Sequence, residues 1–310
     1  MVRPKGTTGE CLAIAGLVIK VKASPGLNFH RDKRFLPFSR NAARHDLVWN
    51  FQVIREGFAK TGWDVPGQGI PSRTELPDEA RCPLLYSPQV LASLEGLHSR
   101  SERVVIEAHP EAVVILDFEE NRAEIHLAQA HVAESAKRIL SSALLAPFLP
   151  GFDALMFHAA AVVRDGKAAV FLAPDAGGKT TAALLSPSGT ILGDDQVIVR
   201  RRRGRFRAWG TPWGLHVDAK VSAPLGGFFL LQKAKRFALK PLPARELVPC
   251  IWQEIRDSLS ILTKPLKKKA FAVLCDIVAA APAWMLSFPK NHIDWDEIDE
   301  VLGTRPRTSC

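Results

Sequence analysis

The sequence predicts an α/β core, α+β over the whole chain, in which a mixed sheet follows a small α+β N-terminal domain. Three observations predict it. The chain has 310 residues, enough for two ordinary domains. Its hydrophobic share of 47% can bury a real core, which excludes a disordered chain. Between residues 154 and 213, short apolar runs alternate with tight turns, and one run leads into a small-residue loop and a short helix. The expected domains are residues 1–127 and 128–310.

Taken in order, residues 12–22 alternate loosely and are expected as one strand. Residues 23–80 are rich in Pro, Gly, Arg and Asp, and no element is assigned there. Val104–Ala108 and Ala112–Phe118 flank His109-Pro110-Glu111 as a hairpin, and Arg122–Leu127 adds a third strand. Val132, Ile139, Leu140, Leu144 and Leu145 recur at helical spacing, so a helix is expected over His131–Leu145, ended by Pro147 and Pro150. Leu155–Val163 is an apolar strand, Arg164-Asp165-Gly166-Lys167 a hairpin turn of the Asp-Gly type, and Ala168–Leu172 the returning strand. Thr180–Leu185 is a short helix closed by Pro187 and Gly189. Thr190–Leu192 is a strand leading to Gly193-Asp194-Asp195, and Gln196–Val199 continues as strand. Arg200–Arg205 caps a hairpin from which Phe206–Trp209 returns. A strand (Phe228–Leu231), two helices (Ala244–Ile255 and Lys264–Ala280) and an acidic end (Asp294–Val301) complete the chain.

The net charge of +9 suits an anionic ligand or an acidic substrate. Five cysteines without a C-x-x-C pair argue against a zinc site or a disulfide framework and fit a reducing compartment. Leu12–Val21 is interrupted by Gly16 and Lys20, and no run approaches the roughly 20 apolar residues of a membrane helix. The basic N-terminus lacks a signal-peptide pattern, so a cytoplasmic protein without a membrane partner is expected.

Chemistry concentrates in the loop Ala173-Pro174-Asp175-Ala176-Gly177-Gly178-Lys179-Thr180. It matches the phosphate-binding pattern G-x-x-x-x-G-K-[ST] except at Ala173, and it lies between a strand and a helix, the context that pattern requires. Backbone N–H groups of Gly177 through Thr180 would meet a phosphate at a helix N-terminus, with Thr181 one position further in. Lys179 would reach the β- and γ-phosphates and the Thr180 hydroxyl would hold Mg²⁺. Ala173 raises a backbone question, because glycine at that position can take a positive φ that alanine resists. Asp175 puts a negative charge where phosphate would sit. Downstream, Asp194 and Asp195 end the next strand, 15 and 16 positions after Lys179, and alternation sends their side chains opposite ways. Upstream, His158 interrupts the apolar strand before the loop.

On His158, Gly178-Lys179-Thr180 and Asp194-Asp195, the segment from about Met156 to Trp213 resembles the bacterial HPr kinase/phosphorylase family and its serine-kinase-like relatives. Gly-Lys-Thr-Thr followed by Leu-Gly-Asp-Asp is also similar to ATP-dependent phosphoenolpyruvate carboxykinase, which shares that core. The resemblance implies a P-loop kinase core, ATP and Mg²⁺ as cofactors, and phosphoryl transfer to a Ser or Thr hydroxyl of a protein, peptide or small molecule. It implies that Lys179 and Thr180 hold the nucleotide and metal, that Asp194 is the base, that Asp195 lies on or beside the metal, and that His158 lies beside Asp194 and orients it. The Glu-Ile-Arg-Gly-x-Gly signature of the HPr enzymes is absent. Residues 210–214 stand roughly in its place, which points to the divergent branch found with peptide-modification clusters.

Arg200, Arg201, Arg202, Arg203, Arg205 and Arg207 are the densest charge run. They read as a landing site for an acidic substrate or a phosphate, or as a solvated hairpin tip. With only Phe206 and Trp209 nearby as stacking platforms, no nucleic-acid partner is expected. Gly210-Thr211-Pro212-Trp213-Gly214 is expected as a substrate-side loop, with Arg205, Thr211 and Trp213 facing the acceptor; a turn around a buried Trp is the alternative. The competing function is a catalytically weak nucleotide sensor or scaffold with a degenerate loop. Self-association is left open.

Overall fold

The computed structural model describes residues 8–23, 33–53, 103–109, 112–127, 144–187, 190–214, 222–255, 262 and 264–303. The chain divides into two compact units, Met1–Phe148 with Ser260–Thr263 and Leu149–Leu259 with Lys264–Cys310. It is α+β, with two mixed sheets and few helices. The helix expected over 131–145 falls mostly outside the described residues.

The first unit carries a seven-stranded sheet in the order β3-β1-β2-β4-β7-β6-β5. Its strands are β1 (Thr8–Ile14), β2 (Leu17–Ala23), β3 (Ser39–Arg40), β4 (Leu47–Val53), β5 (Arg103–His109), β6 (Ala112–Asp117) and β7 (Arg122–Leu127). The β5–β6 hairpin and β7 stand where the apolar alternation placed them. Residues 12–22 do not form one strand: Ala15 (φ 52°) and Gly16 (φ 70°) make a two-residue turn, and Ile14 faces Leu17 across a hairpin. The phase of the alternation carries that turn. Leu12 and Ile14 are buried at even positions, Leu17, Ile19 and Val21 at odd ones, and a single strand would send the two sets to opposite faces. Strand β4 lies in the stretch given no element, although Leu47, Trp49 and Phe51 alternate into the core. Asp46 holds its start, accepting the Val18 N–H on its carboxylate at 2.8 Å and donating its own N–H to the Val18 carbonyl at 2.7 Å.

The second unit carries an eight-stranded sheet. Its strands are β8 (Ala154–Arg164), β9 (Lys167–Leu172), β10 (Thr190–Gly193), β11 (Gln196–Arg202), β12 (Arg205–Gly210), β13 (Ser222–Lys233), β14 (Ala238–Pro241) and β15 (Ala283–Phe288). The helices are α1 (Lys179–Leu184), α2 (Ala244–Ile255), α3 (Lys264–Ala279) and α4 (Trp295–Leu302). Pairings β8–β11, β11–β12, β12–β13, β13–β9 and β9–β8 close a circuit, to which β10, β15 and β14 are added. Strand β9 is held between antiparallel β8 and parallel β13, which explains why all but its first residue are buried. The tight turns fall where the sequence places them: Asp165-Gly166 and Arg203-Gly204 have positive φ at both residues. Strands β14 and β15 carry no expectation from sequence. Strand β15 is only six residues long and follows α3 after a short Ala/Pro connection, yet Trp284, Leu286 and Phe288 alternate inward.

An aromatic stack fills this core. Phe171 meets Phe229 at 5.5 Å between ring centroids and Trp295 edge-on at 6.0 Å, and Phe229 stacks on Trp284 at 5.1 Å. The α4 helix is fixed to the β8–β9 hairpin by charge. Arg164 donates to the buried Asp299 from Nε at 2.9 Å and Nη2 at 2.5 Å, and lies over the Trp295 ring. Lys167 donates to the Leu302 carbonyl at 2.6 Å at the helix C-terminus, where a cation complements the dipole. Asp299→Ala, which removes the partner that Arg164 grips with two hydrogen bonds, is expected to cost about 3 kcal/mol in urea unfolding. A loss below about 1 kcal/mol would mean the pair does not hold α4 in place.

Candidate functional site

At the end of β9 the chain turns through 173–178 and enters α1. The turn is built for glycine at two positions. A Cβ on Gly177 would lie 2.5 Å from the Ala173 Cβ and 2.8 Å from the Pro174 carbonyl oxygen. Gly178 caps α1 at φ 101° and would meet the Phe288 ring at 3.2 Å. The left-handed positions of the loop are Ala176 (φ 57°) and Gly178, so the backbone question raised over Ala173 falls on Ala176 instead. The Gly177 N–H donates to the Pro174 carbonyl at 2.9 Å and closes the turn.

Lys179 is buried, with 7% of its surface exposed. Its ammonium donates to the carbonyls of Ala173 at 2.8 Å and Pro174 at 3.2 Å. Burial lowers its pKa from the usual lysine value, while the charges of Asp175, Glu254 and Asp195 act in the opposite direction. Thr180 donates its hydroxyl to the Asp194 carbonyl at 3.3 Å, tying the first turn of α1 to the end of β10.

The acidic pair lies in the bend between β10 and β11 rather than on a strand: Asp194 is buried and Asp195 half-exposed. The Ala159 N–H donates to the Asp195 carbonyl at 3.0 Å, and Gln196 stands opposite His158 in the β8–β11 ladder. His158 Nε2 thereby comes to 3.2 Å from Asp195 Oδ1 and 3.5 Å from Asp175 Oδ1. The carboxylate met by the ring is the second of the pair, where the resemblance implied the first.

The structure thus gathers His158, Asp175, Lys179, Thr180, Asp194 and Asp195 around one loop. It does not bring Thr211 and Trp213 to a substrate face. Thr211 is fully buried, its hydroxyl donating to the Gln196 carbonyl at 2.8 Å, and Trp213 is buried beside it in sequence. Residues 210–214 are buried throughout, a turn around a buried Trp rather than an exposed loop, because the Thr211 hydroxyl is spent on the start of β11. Arg205 lies exposed at the hairpin tip. Glu254, whose charge reaches Lys179 from α2, and Phe288 beneath Gly178 carry no local sequence signal, since both come from distant elements. Gln196 was read only as strand, yet its Oε1 is buried without a hydrogen-bond partner among the described residues.

The donors fit Mg²⁺ rather than a softer ion. The Thr180 hydroxyl and the Asp194 and Asp195 oxygens are hard ligands. Among the described residues no three of His, Cys, Asp and Glu cluster to hold a metal alone, so a divalent ion here would need phosphate oxygens and water as well.

Thr211→Val is expected to lower stability by about 1 kcal/mol through the stranded Gln196 carbonyl and to leave ligand affinity unchanged. A change in affinity at unchanged stability would restore the substrate-side role. Ala176→Gly, which frees a left-handed backbone, is expected to raise the melting temperature, with a gain of at most about 1 kcal/mol.

A family model described as SynChlorMet cassette protein ScmC matches residues 149–303, half of the chain and all of the site. No curated protein sequence matches the chain. The chain belongs to the ScmC family of SynChlorMet cassette proteins.

Proposed function

We propose that the protein transfers the γ-phosphoryl group of ATP to a serine or threonine hydroxyl of a protein, peptide or small molecule. The observation that carries the reading is the approach of His158 and Asp195 to a strand–loop–helix turn whose lysine is drawn into the loop. The resemblance to the HPr kinase-like and phosphoenolpyruvate carboxykinase cores supports it independently.

In this reading the backbone of residues 177–180 and the Lys179 ammonium receive the phosphates. Lys179 now satisfies its charge with two peptide carbonyls. A phosphate oxygen is a stronger acceptor and would draw the ammonium out of the loop. Mg²⁺, held by Thr180 and the buried Asp194 with phosphate oxygens, would supply charge neutralisation on the transferring group. The acceptor oxygen bonds to the γ-phosphorus as the bond to the β-phosphate oxygen breaks. ADP leaves, and the hydroxyl proton passes to a carboxylate. Asp195 is better exposed for that proton than Asp194, and His158 at 3.2 Å orients it. The geometry therefore favours exchanging the roles that the resemblance implied for the pair.

The test is transfer from γ-labelled ATP, with acceptors drawn first from products of the same cassette. Lys179→Ala should abolish nucleotide binding. Asp195→Asn should lower kcat about 10²–10⁴-fold with ATP affinity kept. Asp194→Asn should instead weaken Mg²⁺-ATP binding. Undiminished turnover in Lys179→Ala and Asp195→Asn would remove the kinase reading. A second reading, a nucleotide sensor without catalysis, is favoured by Asp175 on the lip of the loop, where it repels phosphate. Calorimetric binding of Mg²⁺-ATP with no transfer to any acceptor would support it.

A further inference from the structure

The loop 173–178 has unlike sides. Strand β9, which feeds it, lies between β8 and β13. On the β8 side stand His158 and the carboxylate of Asp195, with Asp194 beside it in the bend before β11. The β13 side brings a cation, and two separate contacts carry it to the loop. In the β9–β13 ladder Leu172, the last residue of β9, stands opposite Leu230, and β13 runs on three residues further to Lys233. At about 3.3 Å per residue, Lys233 lies roughly 10 Å beyond the end of β9, on the side where the chain leaves for the loop. In the β13–β15 ladder Lys233 stands opposite Phe288, whose ring is what a Cβ on Gly178 would meet at 3.2 Å.

Alternation settles the face. Leu231 and Phe229, two and four residues before Lys233, belong to the core that also takes in Ala160, Phe171, Ala182 of α1 and Phe288. Lys233 therefore projects from the face of the sheet that carries α1. His158 stands two residues before Ala160 on β8 and shares that face. The two side chains flank the loop from strands two spacings, or about 10 Å, apart. Lys233 is exposed, and no carboxylate among the described residues lies within ion-pair distance of it. The same holds for Lys235, Arg236 and Lys290 at this end of β13 and β15. The segment is tied down, because the Ala234 N–H donates to the Phe288 carbonyl at 3.0 Å.

We propose that Lys233 is a second phosphate-binding lysine and takes the α-phosphate of the nucleotide, so that the triphosphate crosses the loop with its γ end toward Asp195 and its nucleoside end toward β13 and β15; the assignment rests on the reading of 173–180 as a phosphate loop. A divalent ion shared by the β- and γ-phosphates leaves the charge of the α-phosphate uncovered. An unpaired ammonium across the loop from the carboxylates is the charge that position needs. The opposite orientation would set the α-phosphate beside Asp175 and Asp195 and leave Lys233 without a partner.

The test titrates the full chain with ATP, tripolyphosphate and pyrophosphate by calorimetry, in Mg²⁺ and without an acceptor. Pyrophosphate fills only the β and γ positions, whereas tripolyphosphate reaches the α position as well. Lys233→Gln should weaken ATP and tripolyphosphate about tenfold and pyrophosphate by less than about twofold, and Lys233→Arg should recover most of the loss. Lys240→Gln removes the same charge from the other face of the sheet, since its neighbour Leu239 is the residue that packs on the core, and should leave all three ligands unchanged. Unchanged ATP affinity in Lys233→Gln overturns the assignment, while transfer that persists there keeps the kinase reading. Equal losses for pyrophosphate and tripolyphosphate, or an equal loss in Lys240→Gln, also overturn it, because the charge would then act only at long range. A selective loss with no transfer to any acceptor upholds Lys233 as a binding residue and removes only the chemistry. Failure of the unmodified chain to bind any of the three overturns both readings.

Discussion

The constraint behind the second unit's site is the burial of one lysine charge. Lys179 starts a helix at the end of a strand enclosed on both edges, and its ammonium has exchanged water for two peptide carbonyls. That exchange needs the chain to curl back on itself between Ala173 and Gly178. The curl in turn leaves no room for a side chain on Gly177 and demands a left-handed residue at Gly178. The Phe288 ring sets the floor, which is how β15, far along the chain, comes to shape the loop. Loop, helix start and β15 are therefore one unit, and burial of the lysine within it lowers its pKa against the pull of Asp175, Glu254 and Asp195.

That unit also explains what the sequence made legible. Turn chemistry was readable at Asp165-Gly166, Arg203-Gly204 and the Gly-Gly of the loop. Ala15-Gly16 shows the limit: an alanine at φ 52° carries no turn signal, Gly16 beside it does not by itself separate two strands, and the shift in apolar phase is what distinguishes the hairpin from one strand. Site residues close in sequence to the loop were legible from spacing. Glu254 and Phe288 were not, because their proximity is produced by the sheet order and not by any local pattern. Residues 210–214 take the alternative form, a turn around a buried Trp, for a related reason: Thr and Trp between glycines look exposed until the partner of the Thr211 hydroxyl is known.

His158 carries the last step of the argument. Asp175 on the lip of the loop and Asp195 in the bend after β10 are both carboxylates. One imidazole nitrogen stands within 3.5 Å of each. A ring on β8 thus stands between the loop and the start of β11, on a strand that pairs with both β9 and β11. Its flanking residues serve the core, while its own partly exposed side chain reaches Asp195 at 3.2 Å and Asp175 at 3.5 Å.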